Sequence, residues 1–168
     1  LILLTFNKFS IFIACLSILL VAIYPLTKRI TWWPQIFLGL AFNWGVLVGY
    51  AANTKYLSIS VLFMYIACIF WTLFYDTIYA LQDIKDDTLI GVKSTARLFG
   101  YNLKYWLIVF IILFLTLFIL SIVISKINFD IYKLFVLLIG TSLLFLHLTF
   151  QVKNLDISLP ENALKTFK

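Results

Sequence analysis

Charged residues are scarce in this sequence of 168 residues, since Asp, Glu, Lys and Arg together make up only 12% of it. Soluble domains carry about 25% charged residues, and disordered segments and coiled coils are richer still in them. The shortage therefore excludes these three classes. Cysteine is also rare, and Cys15 and Cys68 both lie inside apolar runs, which argues against a disulfide scaffold.

Apolar residues make up 64% of the chain and give it a mean hydropathy of +1.07. Soluble domains are about 45–50% apolar, so this composition indicates a membrane protein that is embedded in the lipid bilayer. The net charge is +6, but the basic residues lie between apolar runs. That spacing argues against nucleic acid as a partner and favours a role of the charge in membrane orientation.

Five apolar runs are each long enough to cross a hydrocarbon core of about 30 Å as a helix. Helices are favoured over strands because the runs are continuously apolar and because a helix satisfies its own backbone polar groups in lipid. The sequence therefore predicts an all-α polytopic transmembrane bundle, with spans at about residues 9–24, 33–52, 57–81, 103–125 and 131–152. Pro25 and Pro34 flank a short basic loop, where we expect them to end the first span and start the second.

The basic residues are divided unequally between the two sides of these spans. Nine of the 13 Lys and Arg residues follow spans one, three and five, and four lie on the other side. Because the retained side normally carries the excess, the first group is predicted to face the cytoplasm, or the matrix in a mitochondrion. We therefore expect an integral protein of the bacterial or mitochondrial inner membrane.

The chain begins at Leu1 within a nearly continuous apolar stretch, with no initiating Met and no signal-peptide cleavage site. A first span that starts on the outer side is normally preceded by other spans. We therefore expect the sequence to be a piece of a longer protein.

One polar segment, Tyr75–Gly100, lies between apolar runs and contains four of the seven acidic residues. At about 100° per residue, Asp76, Asp83 and Asp87 fall on one stripe of a helix, with Tyr79 to one side. Three like charges on one face repel one another, so a cation is expected nearby to compensate them.

A hard divalent cation suits these carboxylates, because Mg²⁺ binds one or two of them and keeps other coordination sites for water and phosphate. Asp83 and Asp87, one turn apart, are the predicted pair, and Lys93 and Arg97 could hold further phosphate oxygens. The alternative is a solvated loop whose charges only end the span. Asp76 weighs against that alternative, since it lies inside the apolar span, where an acid is costly and usually functional.

At these residues the chain resembles the UbiA family of intramembrane prenyltransferases, and within it the 4-hydroxybenzoate polyprenyltransferases of ubiquinone biosynthesis. The resemblance rests on DTIYALQDIKDD at residues 76–87, which matches the second aspartate-rich motif of the family, and on GVKSTA at residues 91–96. It extends over nearly the whole chain through Tyr24-Pro25, Lys28-Arg29, Pro34-Gln35, Gly39, Phe42 and Trp44.

The resemblance implies a bundle of nine transmembrane helices, of which about five are present here. The first aspartate-rich motif of the family is absent from this sequence, and the last helix of the family is expected beyond Lys168. The second motif implies catalytic roles for Asp76, Asp83 and Asp87, with Mg²⁺ held by the last two.

The resemblance also implies how substrates bind. The Mg²⁺ ion would carry the diphosphate of a polyprenyl diphosphate, Lys93 would assist, and Tyr79 would line the cavity. Arg29 matches the basic residue proposed to receive the carboxylate of 4-hydroxybenzoate, and Lys28 and Asp86, in the same motifs, are also predicted to contact substrate.

Two further readings are open. Other UbiA relatives prenylate menaquinone precursors, haem or chlorophyllide, and the choice among these acceptors rests on resemblance only. A transporter or channel with an acidic cation site would also need intramembrane carboxylates, but it predicts acids near span centres and broken helices. CDP-alcohol phosphotransferases hold metal with aspartates too, but their glycine- and arginine-bearing pattern is not found here.

Overall fold

The structure, a computed structural model, describes residues 2–125 and 130–157. These residues form short 3₁₀ helices at Ile2–Thr5 and Gly100–Asn102, and eight α-helices with no strand among them. The α-helices are α1 (Lys8–Ile30), α2 (Pro34–Phe42), α3 (Trp44–Thr54), α4 (Ile59–Tyr79), α5 (Ile84–Leu89), α6 (Thr95–Phe99), α7 (Leu103–Ile124) and α8 (Ile131–Asn154).

Five stretches of this helical chain are long and apolar enough to cross a membrane, which confirms the predicted all-α bundle. The bounds of three of them agree with the predicted spans to within a few residues, and a fourth, Thr95–Ile124, agrees through α7 but begins eight residues earlier, at α6. The three are Pro34–Thr54, Ile59–Tyr79 and Ile131–Asn154, and the fifth stretch is Lys8–Ile30.

The first span differs from its predicted end. Pro25 lies inside α1 rather than after it, and Lys28 and Arg29 occupy the last helical turn instead of a loop. Proline removes one backbone donor and so frees the carbonyl group four residues earlier, here that of Val21, but transmembrane helices tolerate this because neighbouring groups can adjust around it. In the next turn, the Thr27 hydroxyl donates to the carbonyl oxygen of Tyr24 at 2.6 Å. Pro34, in contrast, starts α2 as predicted.

The second span is broken at Asn43, which separates α2 from α3. The side-chain amide of Asn43 donates to the Gly39 carbonyl oxygen at 2.9 Å, in its own helix. It also reaches α4, at the Cys68 carbonyl oxygen (3.1 Å) and the Thr72 hydroxyl (2.8 Å). A polar side chain inside an apolar span is thus satisfied by the neighbouring helix, which holds the break in place.

Helix α4 lies at the centre of the bundle, between α2 and α7. Its closest approach to α2 occurs at Gly39, where a Cβ atom would lie 3.0 Å from Ile69 Cγ2 and 3.3 Å from Ile69 Cα. The Tyr65 hydroxyl donates to the Leu40 carbonyl oxygen at 2.7 Å in the same interface. Small residues let transmembrane helices approach in this way.

An aromatic layer holds α6 and the loop after α1 against the first turns of α7. The rings of Phe99 and Trp106 stack with centroids 4.9 Å apart, and Trp33 meets Phe99 edge to face at 5.4 Å. At the same end of the bundle, the Lys104 ammonium group donates to the Lys153 carbonyl oxygen at 3.0 Å. The ends of α1, α4 and α8 and the starts of α2 and α7 therefore share one face of the molecule.

The close approach at Gly39 generates a stability prediction. Replacing it (Gly39→Ala) inserts a methyl group against the backbone of Ile69, so we expect a loss of roughly 1–3 kcal/mol of stability from overpacking. Thermal unfolding of the detergent-solubilised protein, followed by circular dichroism, measures it.

The matched control is Gly45→Ala, in α3. A Cβ atom there meets nothing within 4 Å among the described residues. We expect its stability to stay within about 0.5 kcal/mol of the wild type. Equal losses in the two variants would contradict the assignment of Gly39 to a tight helix contact.

Candidate active site at the ends of α1, α2 and α4

The acidic motif begins inside α4 and continues past its end. Helix α4 stops at Tyr79, and residues 80–83 form a turn before α5. Two backbone hydrogen bonds of the i to i−3 type form this turn. They run from Leu81 N to the Ile78 carbonyl oxygen and from Gln82 N to the Tyr79 carbonyl oxygen, both at 3.2 Å. The predicted single helical stripe is therefore interrupted, because the chain changes to shorter-range hydrogen bonding between Asp76 and Asp83.

Despite the interruption, the three predicted catalytic carboxylates face one cavity. Asp76, Asp83 and Asp87 all line a small cavity of about 80 Å³ at the end of the bundle. Its other walls come from four elements and comprise Tyr24, Lys28, Gln35, Tyr79, Ala80 and Ser94. The turn therefore leaves Asp83 and Asp87 on the same cavity as Asp76.

The cavity is electrostatically unbalanced. Burial raises the pKa of the Asp87 carboxyl group above its ordinary value; the Lys28 ammonium and Arg97 guanidinium groups lower it, and the neighbouring carboxylates of Asp83 and Asp86 raise it. A raised pKa in an acid means that the protonated form is favoured. The charged form of Asp87 therefore lacks sufficient positive charge around it, and a bound cation would stabilise that form.

The donor set fits a hard divalent cation. Among the described residues, no group of three His, Cys, Asp or Glu side chains is arranged to hold a metal ion by itself. Asp83 and Asp87 nevertheless present carboxylate oxygens to one cavity. Mg²⁺ needs no more than one or two carboxylates from the protein when water and phosphate oxygens complete its shell.

Three predicted substrate-binding residues lie away from the cavity wall. Arg29 and Asp86 are exposed and are not among its lining residues. Lys93 contacts the protein instead, since its ammonium group donates to the Ile30 carbonyl oxygen at 3.1 Å and lies 5.9 Å from the ring centre of Trp32. Their substrate contacts stay predictions, whereas Lys28 and Tyr79 do line the cavity.

Sequence reasoning did not assign Tyr24, Gln35 or Ser94 to the site, although all three line the cavity. Gln35 and Ser94 are almost fully buried, each 3% exposed. A buried polar side chain at the start of an apolar span is itself a signal, because it needs a partner. Gln35 follows Pro34 in such a position and could have been singled out on that ground.

The segment after α5 joins the elements that surround the cavity. Thr95 is the main contact, since its backbone N–H donates to Gln35 Oε1 at 3.2 Å and its hydroxyl shares a buried bond of 2.7 Å with the Thr77 hydroxyl of α4. Two residues earlier, Lys93 N donates to the Lys28 carbonyl oxygen at 3.0 Å. The ends of α1, α2 and α4 are thus held together by residues 93–95.

Comparison with known proteins gives a consistent family match. The model of the UbiA prenyltransferase family matches residues 1–166. Three relatives carry the name 4-hydroxybenzoate polyprenyltransferase, mitochondrial. The protein from Bos taurus is 46% identical over 99% of this chain, that from Homo sapiens 44% over 99%, and that from Aedes aegypti 40% over 99%.

The alignments cover 43%, 43% and 37% of those relatives, so the chain spans less than half of their length. A solved structure, the apo form of a UbiA homolog from Aeropyrum pernix K1, superposes with a TM-score of 0.63. It is 20% identical in sequence, and the match covers 98% of this chain and 65% of that one. This likeness supports the fold.

The buried hydroxyl pair yields a test of how the site is held. Removing one hydroxyl (Thr77→Val) leaves the Thr95 hydroxyl buried without this partner, and we expect a loss of about 1–3 kcal/mol of stability. Chemical or thermal unfolding in detergent measures the change.

The double variant Thr77→Val/Thr95→Val is the matched comparison. Replacing both partners of a buried bond with apolar groups of the same shape costs little, so the double variant should recover part of the loss. Losses that simply add would show that the two hydroxyls do not act as a pair.

Proposed function

The chain belongs to the UbiA prenyltransferase family, and from that premise we propose that the full-length protein is a 4-hydroxybenzoate polyprenyltransferase. It transfers a polyprenyl group from polyprenyl diphosphate to the ring of 4-hydroxybenzoate in ubiquinone biosynthesis. The observation that carries the proposal is the convergence of Asp76, Asp83 and Asp87 on one cavity at the end of an apolar bundle. The names of the aligned relatives support the choice of acceptor.

Asp83 and Asp87 are the residues that hold Mg²⁺ in this proposal, and through it the diphosphate of the donor. Neutralisation of the departing diphosphate is the chemistry that the ion supplies when bound. Lys28, on the same cavity wall, adds a positive charge beside the two carboxylates. It is therefore placed to attract a phosphate oxygen once the carboxylates are compensated.

The remaining walls suit the organic part of the reaction. The bond between the allylic carbon and the diphosphate oxygen breaks, the ring carbon ortho to the hydroxyl group forms the new C–C bond, and that ring carbon then loses its proton. Tyr24 and Tyr79 present aromatic rings at the cavity, where an allylic cation is stabilised electrostatically. Asp76 adds a negative charge at the inner wall, which also favours a cationic carbon.

The membrane location follows from the donor. A polyprenyl chain is confined to the bilayer, and five helical stretches among the described residues are apolar and long enough to lie there. We place the protein in the inner membrane of mitochondria or bacteria, with the acidic cavity facing the matrix or cytoplasm. The excess of Lys and Arg on that side supports this orientation, and the names of the aligned relatives favour the mitochondrial setting.

An ion-transport function receives less support. A transporter predicts acidic residues near the span centres, whereas Asp83, Asp86 and Asp87 follow the end of α4 and Asp76 lies in its last turn. A different aromatic acceptor within the same family is the nearer alternative, and an assay of acceptor preference distinguishes it.

The metal assignment predicts the loss of activity in two variants. In membranes containing the full-length protein, Mg²⁺, a polyprenyl diphosphate and 4-hydroxybenzoate, we expect Asp83→Ala and Asp87→Ala each to abolish formation of the prenylated product. Each removes an oxygen ligand whose charge the bound cation requires. Chromatography of the radiolabelled product measures turnover.

Asp130→Ala is the matched control, since Asp130 is an exposed acid paired with Lys133 at 3.3 Å, at the other end of the bundle. It should retain wild-type turnover. Full activity in both cavity variants would refute the metal assignment. Prenylation of another aromatic acceptor in place of 4-hydroxybenzoate would favour a different branch of the family.

A further inference from the structure

Helix α5 carries Asp87 and has no fully buried residue, although Ile84 at its start is partly buried against the core. A helix of six residues does not persist in water without tertiary contacts. The orientation of the Asp87 carboxylate therefore depends on the bonds that tie α5 to better-packed parts of the molecule. Those bonds come mainly from one side chain in α6.

Arg97 is that side chain. Its Nη1 atom donates to the Asp87 carbonyl oxygen at 3.2 Å and to the Val92 carbonyl oxygen. The same Asp87 carbonyl accepts from Val92 N at 2.9 Å, which closes the end of α5 through a left-handed Gly91 with a φ of 73°. A hydrogen bond from residue i+5 back to the carbonyl group of residue i, with a left-handed residue between them, defines the Schellman motif at a helix C-terminus. Arg97 thus reinforces the carbonyl group that terminates α5 and belongs to Asp87 itself.

Arg97 extends from a well-packed helix and contacts an aromatic ring. Its neighbours Thr95, Ala96 and Phe99 are buried, so α6 is a well-packed base. On its outer side, the guanidinium carbon lies 5.5 Å from the ring centre of Trp32, at a distance typical of cation–π contacts. Trp32 belongs to the loop that follows α1, so this contact joins α5 and α6 to the end of the helix that provides Lys28.

We propose that Arg97 is a positioning residue, which orients the Asp87 carboxylate for the divalent cation by holding the backbone of α5 against Trp32. This inference rests on the proposed function, because it concerns the same metal site. It gives Arg97 a different task from the one that the sequence suggests. Its guanidinium group binds two carbonyl oxygens of the protein and does not line the cavity, so it serves the diphosphate only through Asp87.

The test measures metal binding separately from turnover. Mn²⁺ binding to the full-length protein is followed by electron paramagnetic resonance, with a non-reactive prenyl thiolodiphosphate present to complete the coordination shell. Loss of a residue that orients a metal ligand commonly weakens binding by about 10–100-fold. We expect Arg97→Ala to weaken Mn²⁺ binding by about tenfold, and to raise the Mg²⁺ concentration for half-maximal prenyl transfer by a similar factor.

Two further variants separate positioning from general stabilisation. Arg97→Lys keeps the positive charge and a donor, and should recover part of the Mn²⁺ affinity. Lys104→Ala removes another cation that donates to a carbonyl oxygen at the same end of the bundle, away from the cavity. It should bind Mn²⁺ within about twofold of the wild type, since its contact does not reach the metal ligands.

A double variant decides whether Arg97 acts through Asp87. If it does, adding Arg97→Ala to Asp87→Asn causes little further loss of Mn²⁺ binding. Additive losses would overturn the proposal. So would unchanged Mn²⁺ binding in Arg97→Ala, whether accompanied by a raised KM for the prenyl diphosphate, as for a direct substrate contact, or by a lowered melting temperature alone.

The outcome also separates this inference from the proposed function. Wild-type protein that binds Mn²⁺ but prenylates no aromatic acceptor would contradict the proposed function only. Unchanged Mn²⁺ binding in Asp87→Asn would overturn the metal assignment and the positioning role together.

Discussion

The bonds made by residues 93–97 hold the acidic cavity together. Lys93, Thr95 and Arg97 reach the ends of α1, α2, α4 and α5 through backbone carbonyl groups, a buried amide and a buried hydroxyl. The carbonyl groups at the ends of α1 and α5 and the buried side chains of Gln35 and Thr77 gain their partners in this way. The segment therefore converts four separate helix ends into one site, and it does so with polar contacts because the site lies where the apolar spans stop.

Below the site, the lipid environment imposes its own constraint. A chain in hydrocarbon must satisfy its backbone internally, so the polar exceptions inside the spans need partners from neighbouring helices. Asn43 finds them on α4, and the Tyr65 hydroxyl finds one on α2. These contacts and the close approach at Gly39 fix α4 against α2. The end of α4, where Asp76 lies, is thereby positioned relative to the start of α2 and its Gln35.

Much of the fold could be predicted because continuous apolar runs and the need for internal hydrogen bonds leave few alternatives to helices. The predictions failed where contacts with other parts of the molecule, or the membrane, outweighed a local sequence preference. Pro25 was expected to end a span, but α1 continues through it to Ile30, as transmembrane helices allow. The break at Asn43 could not be predicted from the sequence. A single polar residue in an apolar run reveals neither its hydrogen-bond partner nor its backbone conformation.

The sequence by itself determined the class of the protein, the number of spans present and the acidic residues around which a site could form. Periodicity and burial cost are local properties, and they single out Asp76, Asp83 and Asp87 without any knowledge of neighbours. Only the tertiary structure decided that Lys28 joins those carboxylates while Lys93 and Arg97 bind the protein. Which cation faces a cavity depends on how distant helix ends meet, and that is set by packing between segments far apart in the chain.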